Sequence, residues 1–325
     1  MITTKSIDVL LKGVRAEFWV AIDQAEKQLS SYNTNVYLDA TNKTGPLFEE
    51  ISATGRQRAE FIQVTGVQEL QPTAEAQEFI AADYVPSFIT TVEPYKFTRR
   101  IKVTRESAER RDTMYQKALN EATKLNVASE NTKARHRFSR LNNSTSVATQ
   151  AELFDYGDGV ALFSASHPDK QGSVHSNIAT SGVISKTSVE ATVLVLQNQV
   201  DDIGEPMPMG GGKNWLVVPP ALVRLAKEQI DSEWAINTAN NNINVWYGGQ
   251  FALATSPFLS ATNGGSDVVW YVVDGMFSPL VDVNFRAVTN ETWFDENTKV
   301  FVHDISMEHK VGAKDYRGIV RNAGV

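Results

Sequence analysis

The chain has no cysteine, which removes disulfides, thiol nucleophiles and thiolate-held metals from consideration at once and fits a reducing cytoplasm. It also lacks a basic excess: 31 Lys and Arg face 38 Asp and Glu, for a net charge of −7. Domains that grip DNA usually carry surplus positive charge, because phosphate neutralisation supplies most non-specific affinity. The overall charge therefore speaks against tight nucleic-acid binding. No run approaches the ~18 apolar residues of a membrane span. The start, Met1-Ile2-Thr3-Thr4-Lys5, has no basic-then-apolar signal segment. The expectation is a soluble protein without membrane contact.

Catalytic signatures are scarce as well. The five histidines, 136, 167, 175, 303 and 309, include no His-Glu-x-x-His pair. His167, Asp169 and His175 could meet at a metal, but their spacing does not require it. No Gly-x-Ser-x-Gly elbow occurs, and no dinucleotide glycine fingerprint follows a predicted strand. Gly210-Gly211-Gly212-Lys213 fails as a phosphate loop: Met207 replaces the first glycine and Asn214 follows the lysine. Asp201, Asp202 and Glu205 read as solvated loop acids rather than a catalytic carboxylate pair. The residue chemistry predicts no catalytic, cofactor-binding or metal site.

What the sequence does contain is ordinary globular material, 325 residues with 42% hydrophobic and 21% charged. That suffices for one large or two medium domains burying about three quarters of the unfolded surface. Residues 6–30 carry one apolar stripe (Ile7, Leu10, Leu11, Val14, Phe18, Ala21, Ile22, Ala25) and predict an amphipathic helix. That helix either packs on its own domain or reaches a neighbouring subunit. From Phe61 to Val103 the period becomes two. Tyr95, Phe97, Arg99, Ile101 and Val103 alternate with Lys96, Thr98, Arg100 and Lys102. With the run Phe61–Val67 and the acidic stretch Gln68–Asp83 between them, these predict a long antiparallel ribbon. Two strands alone are marginal in water, so the ribbon either packs at home or lies on a second copy.

A long helix follows, Thr104 to about Leu141, with a narrow stripe of Tyr115, Ala118, Ala122, Leu125 and Ser129. Thr104 is its expected cap, and Glu106–Arg110 a favourable i,i+4 pair. The locally basic Lys133–Arg140 reads as a solvated helix end at the negative dipole pole, or as a nucleic-acid patch. Beyond it the pattern is compact α/β. Thr187 and Glu190 suggest a capping box, Trp215–Val218 a buried strand, and Pro219-Pro220 a helix start. Short strands are expected at Asn244–Tyr247, Phe251–Thr255, Val268–Val273, Leu280–Phe285 and Lys299–His303, with a loop at Asn237–Asn244 and a turn at Gly312–Gly318.

Between the long helix and this region lies Leu153–Asp169. Gly157-Asp158-Gly159 suits a tight turn, Leu162-Phe163 anchors on a core, and Ser164-Ala165-Ser166 leads to His167-Pro168. Asp158, Ser164, Ser166 and His167 hold the residue types of a hydrolase triad, though adjacency in sequence does not define triad geometry. His167 is expected to bond neighbouring backbone in a turn.

This segment, Gly157 to Pro168, resembles the corresponding stretch of tailed-bacteriophage major capsid proteins, most closely the Mu-type major head subunit group. Val217–Leu222 and Asp315-Tyr316-Arg317-Gly318 are similar to that family too, and the order of elements spans almost the whole chain. The resemblance implies an α+β Hong Kong 97-type fold: N-terminal arm 1–55, extended loop 56–103, peripheral domain with spine helix 104–146, mostly axial domain 147–255, and peripheral return strands with the C-terminus at 256–325. It implies a non-enzymatic shell subunit. Its copies assemble as hexamers and pentamers into an icosahedral head around double-stranded DNA, with which they make weak, non-specific contact. A separate scaffolding protein and a portal are the implied partners, the virion capsid the location, and the host bacterial cytoplasm the place of assembly. The chain begins almost at the arm, so no attached scaffolding segment is expected, and no motif marks Lys96 as a cross-linking lysine. Three readings compete with this one: an encapsulin-like cellular shell protein, a tail or baseplate component forming rings or tubes, and a hydrolase using Ser166 and His167.

Overall fold

The computed structural model describes residues 47–64, 87–150, 157–234 and 243–325. The predicted helix 6–30, the acidic stretch 68–83 and most of the asparagine run 237–244 lie outside these residues.

The described chain opens with β1 (Glu49–Ser52), β2 (Ala59–Ile62), β3 (Ile89–Val92) and β4 (Tyr95–Thr104). Helices α1 (Arg105–Arg110), α2 (Thr113–Asn143) and α3 (Val147–Gln150) follow, then β5 (His167–Pro168), β6 (Val174–His175) and β7 (Ile178–Ala179). Next come α4 (Lys186–Gln197), β8 (Asn214–Val218), a 3-10 turn at Pro220–Leu222 and α5 (Val223–Asp231). The last strands are β9 (Phe251–Thr255), β10 (Trp270–Val273), β11 (Leu280–Asp295), β12 (Val300–Ala313) and β13 (Ile319–Asn322).

The two larger sheets have the orders β1-β11-β12-β4 and β7-β13-β10-β8-β9, beside the two-stranded pairs β2-β3 and β5-β6. β8 is buried at every position, as a strand covered on both faces must be, and its two faces serve different cores. Leu216 and Val218 meet α4 and α5 through Val189, Val193, Leu196, Ala226 and Ile230. Trp215 and Val217 join Tyr271, Leu280, Val281, Phe285 and Phe163 in the core shared with the first sheet. A third cluster, including Ile101, Val103, Tyr115, Ala118, Leu125 and Ile305, seals α2 onto β4 and β12. The stripe predicted from Tyr115, Ala118, Leu125 and Ser129 is the buried side of α2.

The alternation along β4 holds toward its C-terminal end, with Ile101 and Val103 buried and Arg100 and Lys102 exposed, while Tyr95 and Arg99 of the expected inner face are exposed; its partner also differs from the one expected. β4 pairs antiparallel with β12, from Thr104↔Val300 to Tyr95↔His309. The ribbon strands are instead β2 and β3, with Ala59↔Val92 and Ile62↔Ile89. A ten-residue strand with an apolar face is stabilised more by a long partner in a covered sheet than by a free hairpin.

The single long helix divides at Arg111, whose φ of 49° ends α1. Asp112 then starts α2, its carboxylate accepting from the Tyr115 amide at 3.1 Å and the Ser107 hydroxyl at 2.5 Å. Thr104 caps α1 as predicted, accepting from the Ser107 amide at 3.3 Å, and Arg105–Glu109 is an i,i+4 pair at 2.7 Å. The capping box of α4 belongs to Ser185 and Ser188, two residues before the predicted position, because serine at both places satisfies the orphan amides. Residues 244–247 form a turn, not a strand: Asn244 spends its side chain on the carbonyls of Gln229 and Ser232, at 2.6 and 2.8 Å, and on the Trp246 amide.

Candidate functional site

The segment 157–168 and the turn 315–318, far apart in sequence, meet in the interior. Gly157 lies so close to β3 that a Cβ there would fall 2.1 Å from the Ile89 carbonyl oxygen, so only glycine fits. Gly318 has φ +82°, and a Cβ would collide with the Phe277 ring at 2.6 Å. These two positions let the backbone bring the remaining groups together.

His167 is fully buried. Its Nδ1 sits 2.6 Å from Asp158 Oδ2, and its Nε2 faces the Leu162 carbonyl at 3.2 Å. The ring stacks on Tyr316 at 3.9 Å and 1°. Both ring nitrogens face acceptors. The predicted backbone bond is present, joined by a carboxylate that sequence alone did not place.

Arg317 is next to Tyr316 in the chain and also fully buried. Its Nε donates to the Val200 carbonyl at 2.6 Å, Nη1 to both oxygens of Asp315 at 3.3 and 3.2 Å, and Nη2 to Asp202 at 2.5 Å. Burial would lower its pKa, but Asp315, the Tyr316 oxygen and Asp202 more than offset that and raise it. Burial pushes Asp315 up, with Arg317 and the amides of Val64 and Arg317 pulling it back in part. Asp202 is buried, not solvated as expected, and Asp201 is 5% exposed. Asp201 instead folds its own loop, its carboxylate accepting from the amides of Ile203 and Glu205, both at 2.9 Å.

The two carboxylates that hold Arg317 also hold the ends of the stretch 65–86. Asp315 accepts from the Val64 amide at 2.9 Å, and Asp202 accepts from the Ser87 hydroxyl. Asn177, which the sequence reading passed over, completes the node. Its side chain donates to the Leu162 carbonyl at 2.6 Å and the Tyr316 carbonyl at 3.3 Å and accepts from the Ser164 amide at 3.0 Å. No motif announces such an asparagine. The arrangement is a clamp: each stretch entering it is tied by polar bonds to buried groups, and losing one charged partner strands another.

As a hydrolytic site the arrangement fails. The Ser166 hydroxyl lies 3.3 Å from Ser164 Oγ, whereas His167 spends its nitrogens on Asp158 and Leu162, so the nucleophile–base bond a triad needs is not made. His175 meets Asp169 at 3.1 Å while His167 faces Asp158, so the three candidate metal ligands do not converge. Among the described residues no group of three His, Asp or Glu side chains is placed to hold a metal ion. Gly210 of the glycine run donates its amide to Asp274 at 2.6 Å, binding the loop to the residue just past β10.

The cations of the basic stretch Lys133–Arg140 are largely engaged within the subunit. Lys133 pairs with Glu130 at 3.3 Å, and Arg137 with Asp282 and Glu50, both at 2.7 Å. Arg135 lies over the Phe258 ring at 5.3 Å, and Arg140 is buried. Most of its charges are engaged rather than free: Arg137 ties α2 to the sheet, Lys133 pairs within the helix, and Arg135 stays exposed.

Residues 88–322 match the model of a family described as phage capsid protein, a span containing α2, both sheets' central strands and most of the clamp. No curated protein sequence matches. Among solved structures, the chain is similar to the capsid of the native GTA particle (10% identity, 88% of this chain and 90% of that chain covered, TM-score 0.52). It is also similar to the capsid of Myoviridae phage XM1 (5% identity, 90% and 94% covered, TM-score 0.50) and to that of the empty GTA particle (9% identity, 88% and 90% covered, TM-score 0.50). These likenesses concern the fold, and the α+β arrangement is consistent with the Hong Kong 97 type.

Proposed function

The chain belongs to the phage capsid protein family, and from that premise we propose that its copies close as hexamers and pentamers into an icosahedral head around double-stranded DNA. It is a structural capsid component of the virion, not an enzyme. The observation that carries the finer reading is the clamp. It fixes Val64 and Ser87, which flank the stretch 65–86, onto Asp315 and Asp202, so the described parts of the loop are anchored in the subunit's own interior. A subunit in a closed shell uses heterologous contacts that close by symmetry, and a rigid root makes each contact reproducible.

On this reading residues 1–55 are an N-terminal arm, 56–103 the extended loop and 104–146 the peripheral domain with its spine helix. Residues 147–255 are mostly axial domain, and 256–325 return to the peripheral domain. The β4–β12 pairing joins the loop's second half to the return strands, which supports that grouping. Membership of the Mu-type head group, a separate scaffolding protein, a portal, weak DNA contact and assembly in the host cytoplasm are parts of the same proposal.

Electron microscopy of the purified protein, expressed alone and then with a candidate scaffolding protein, tests it. Closed polyhedral particles, or capsomer rings that close when scaffold is added, are expected. A protein that stays monomeric under every condition would overturn it.

A further inference from the structure

A cavity of about 670 Å³ lies between α2 and the strands β4 and β12. Phe97, Ile101, Leu125, Ile305 and Met307 are its apolar lining, and Ala128 stands exposed at its margin. β4 is the edge strand of its sheet, so among the described residues no further strand covers this flank. The wall on α2 runs from Glu121 to Thr132, about 16 Å at a rise of ~1.5 Å per residue. One stretch of the chain matches it in length and chemistry. From Ile7 to Phe18, the same eleven steps (121 to 132, 7 to 18), Ile7, Leu10, Leu11, Val14 and Phe18 recur at helical spacing. Such a stripe must be buried against something. A cavity of this size takes the side chains of one helix face, since a helix with its side chains is itself roughly 10–12 Å across.

We propose that this cavity is the docking groove for residues 7–18 of the same chain, with their apolar stripe turned onto α2 and β4. Reach selects the occupant. The described chain starts at Leu47, which is buried, and the Phe48 ring stands edge-on to Phe138 of α2 at 5.9 Å. Phe138 is six residues past Thr132, roughly 9 Å along the helix. Residues 31–46 span up to about 50 Å when extended, enough to return the stripe along α2 and around it. A tether of that length holds the stripe at an effective concentration on the order of millimolar, so in dilute solution a chain's own stripe outcompetes that of another molecule. The stretch 65–86 competes poorly for an apolar lining, because it carries Pro72 and the acids Glu69, Glu75, Glu78 and Asp83 and no comparable stripe. Docking also covers the flank of an edge strand, whose free backbone groups otherwise template pairing with other chains. The contact belongs to the free subunit and does not depend on the shell reading.

The absence of cysteine makes paired cysteines a clean probe of the full-length, unassembled protein. Ala128→Cys, a small change at an exposed position, is combined in turn with Leu10→Cys, Val14→Cys and Phe18→Cys, which step along the stripe by about one turn each. Oxidised glutathione takes up the two electrons as the thiols close, and non-reducing electrophoresis with peptide masses reads the product. At least one of the three pairs should close within the monomer, because a disulfide forms only where the Cα atoms come within about 7 Å. The same three partners combined with Lys227→Cys, exposed on α5, should stay open. Disulfides that only join two chains would make a second copy the occupant, closure of Phe79→Cys with Ala128→Cys in their place would make it the stretch 65–86, and no closure at all would leave the groove without this ligand; each overturns the proposal. A second readout needs no cysteine. Ala128→Arg keeps a good helix former on α2 but blocks the margin of the groove, and should raise cleavage after Phe18 and Trp19 by an aromatic-specific protease roughly tenfold, since cleavage tracks the undocked population. Unchanged cleavage overturns the proposal as well.

Discussion

Arg317 illustrates why a buried charge is judged by its partners. Its guanidinium has carbonyl and carboxylate acceptors on all three nitrogens, so the network is satisfied and rigid, and its removal leaves Asp202 and Asp315 buried without a cation. Arg317→Met should therefore cost about 3–5 kcal/mol, read as a lower midpoint in denaturant unfolding. It should also speed cleavage of the folded protein by a glutamate-specific protease within 65–86, where Glu69, Glu75 and Glu78 lie, because both ends of that stretch lose a fixed acceptor. Unchanged stability with unchanged cleavage would rule out the clamp. The sequence showed Asp315-Tyr316-Arg317-Gly318 and Gly157–Pro168 as separate patterns, and their resemblance to one family was legible. Their contact was not, because more than 140 residues separate His167 from Tyr316 in the chain, roughly the size of a whole domain. Asp202 was misread for the same reason: an acid in a loop with proline and glycine looks solvated until a distant arginine is found above it.

Individual elements were more legible than their partners. Period-two alternation located β4, and three- and four-residue spacing located α2, since one face of each is buried. The seam between them carries a pH dependence that spacing could not show. Burial first, then the charges of Lys133, Arg137 and Arg140, hold His309 down to about 4; burial, Arg140 and His309 do the same to His136. A histidine whose folded pKa lies below its unfolded value of 6.5 binds fewer protons when folded, so its full contribution to stability is present above pH 6.5. That contribution is lost as the pH falls toward 4. For His309 alone the loss approaches roughly 3 kcal/mol, somewhat less in sum for two rings that repel each other once charged. Denaturant unfolding at pH 7 and pH 4.5 should show wild type losing stability and His309→Met losing clearly less, with a remainder from His136 and from His303, which burial also lowers. The lowered carboxylates Asp112, Asp169 and Asp295 lose their contribution below their ordinary range, outside this window. Equal losses in both proteins would remove His309 from the seam.

At the scale of the whole molecule, net charge and its placement give the same answer about DNA. The chain is acidic by 7 charges, and in the locally basic stretch of α2 Lys133 and Arg137 are paired with acids. Exposed cations remain on β4, at Arg99 and Lys102, but Arg100 is tied to Asp304 at 2.6 Å. A wall that gripped packaged DNA through many phosphate contacts would oppose both filling and release, since each neutralised phosphate adds to affinity and steepens the salt dependence. Fluorescence anisotropy of a short labelled duplex with unassembled protein should therefore give, at physiological salt, a Kd no tighter than the weak end of non-specific binding, about 10⁻⁴ M. Lys133→Glu should leave it unchanged, because that ammonium is already engaged with Glu130. Tight binding that falls steeply with salt and is lost in Lys133→Glu would mean that Lys133 is free to meet phosphate, and its pairing with Glu130 would not hold in solution.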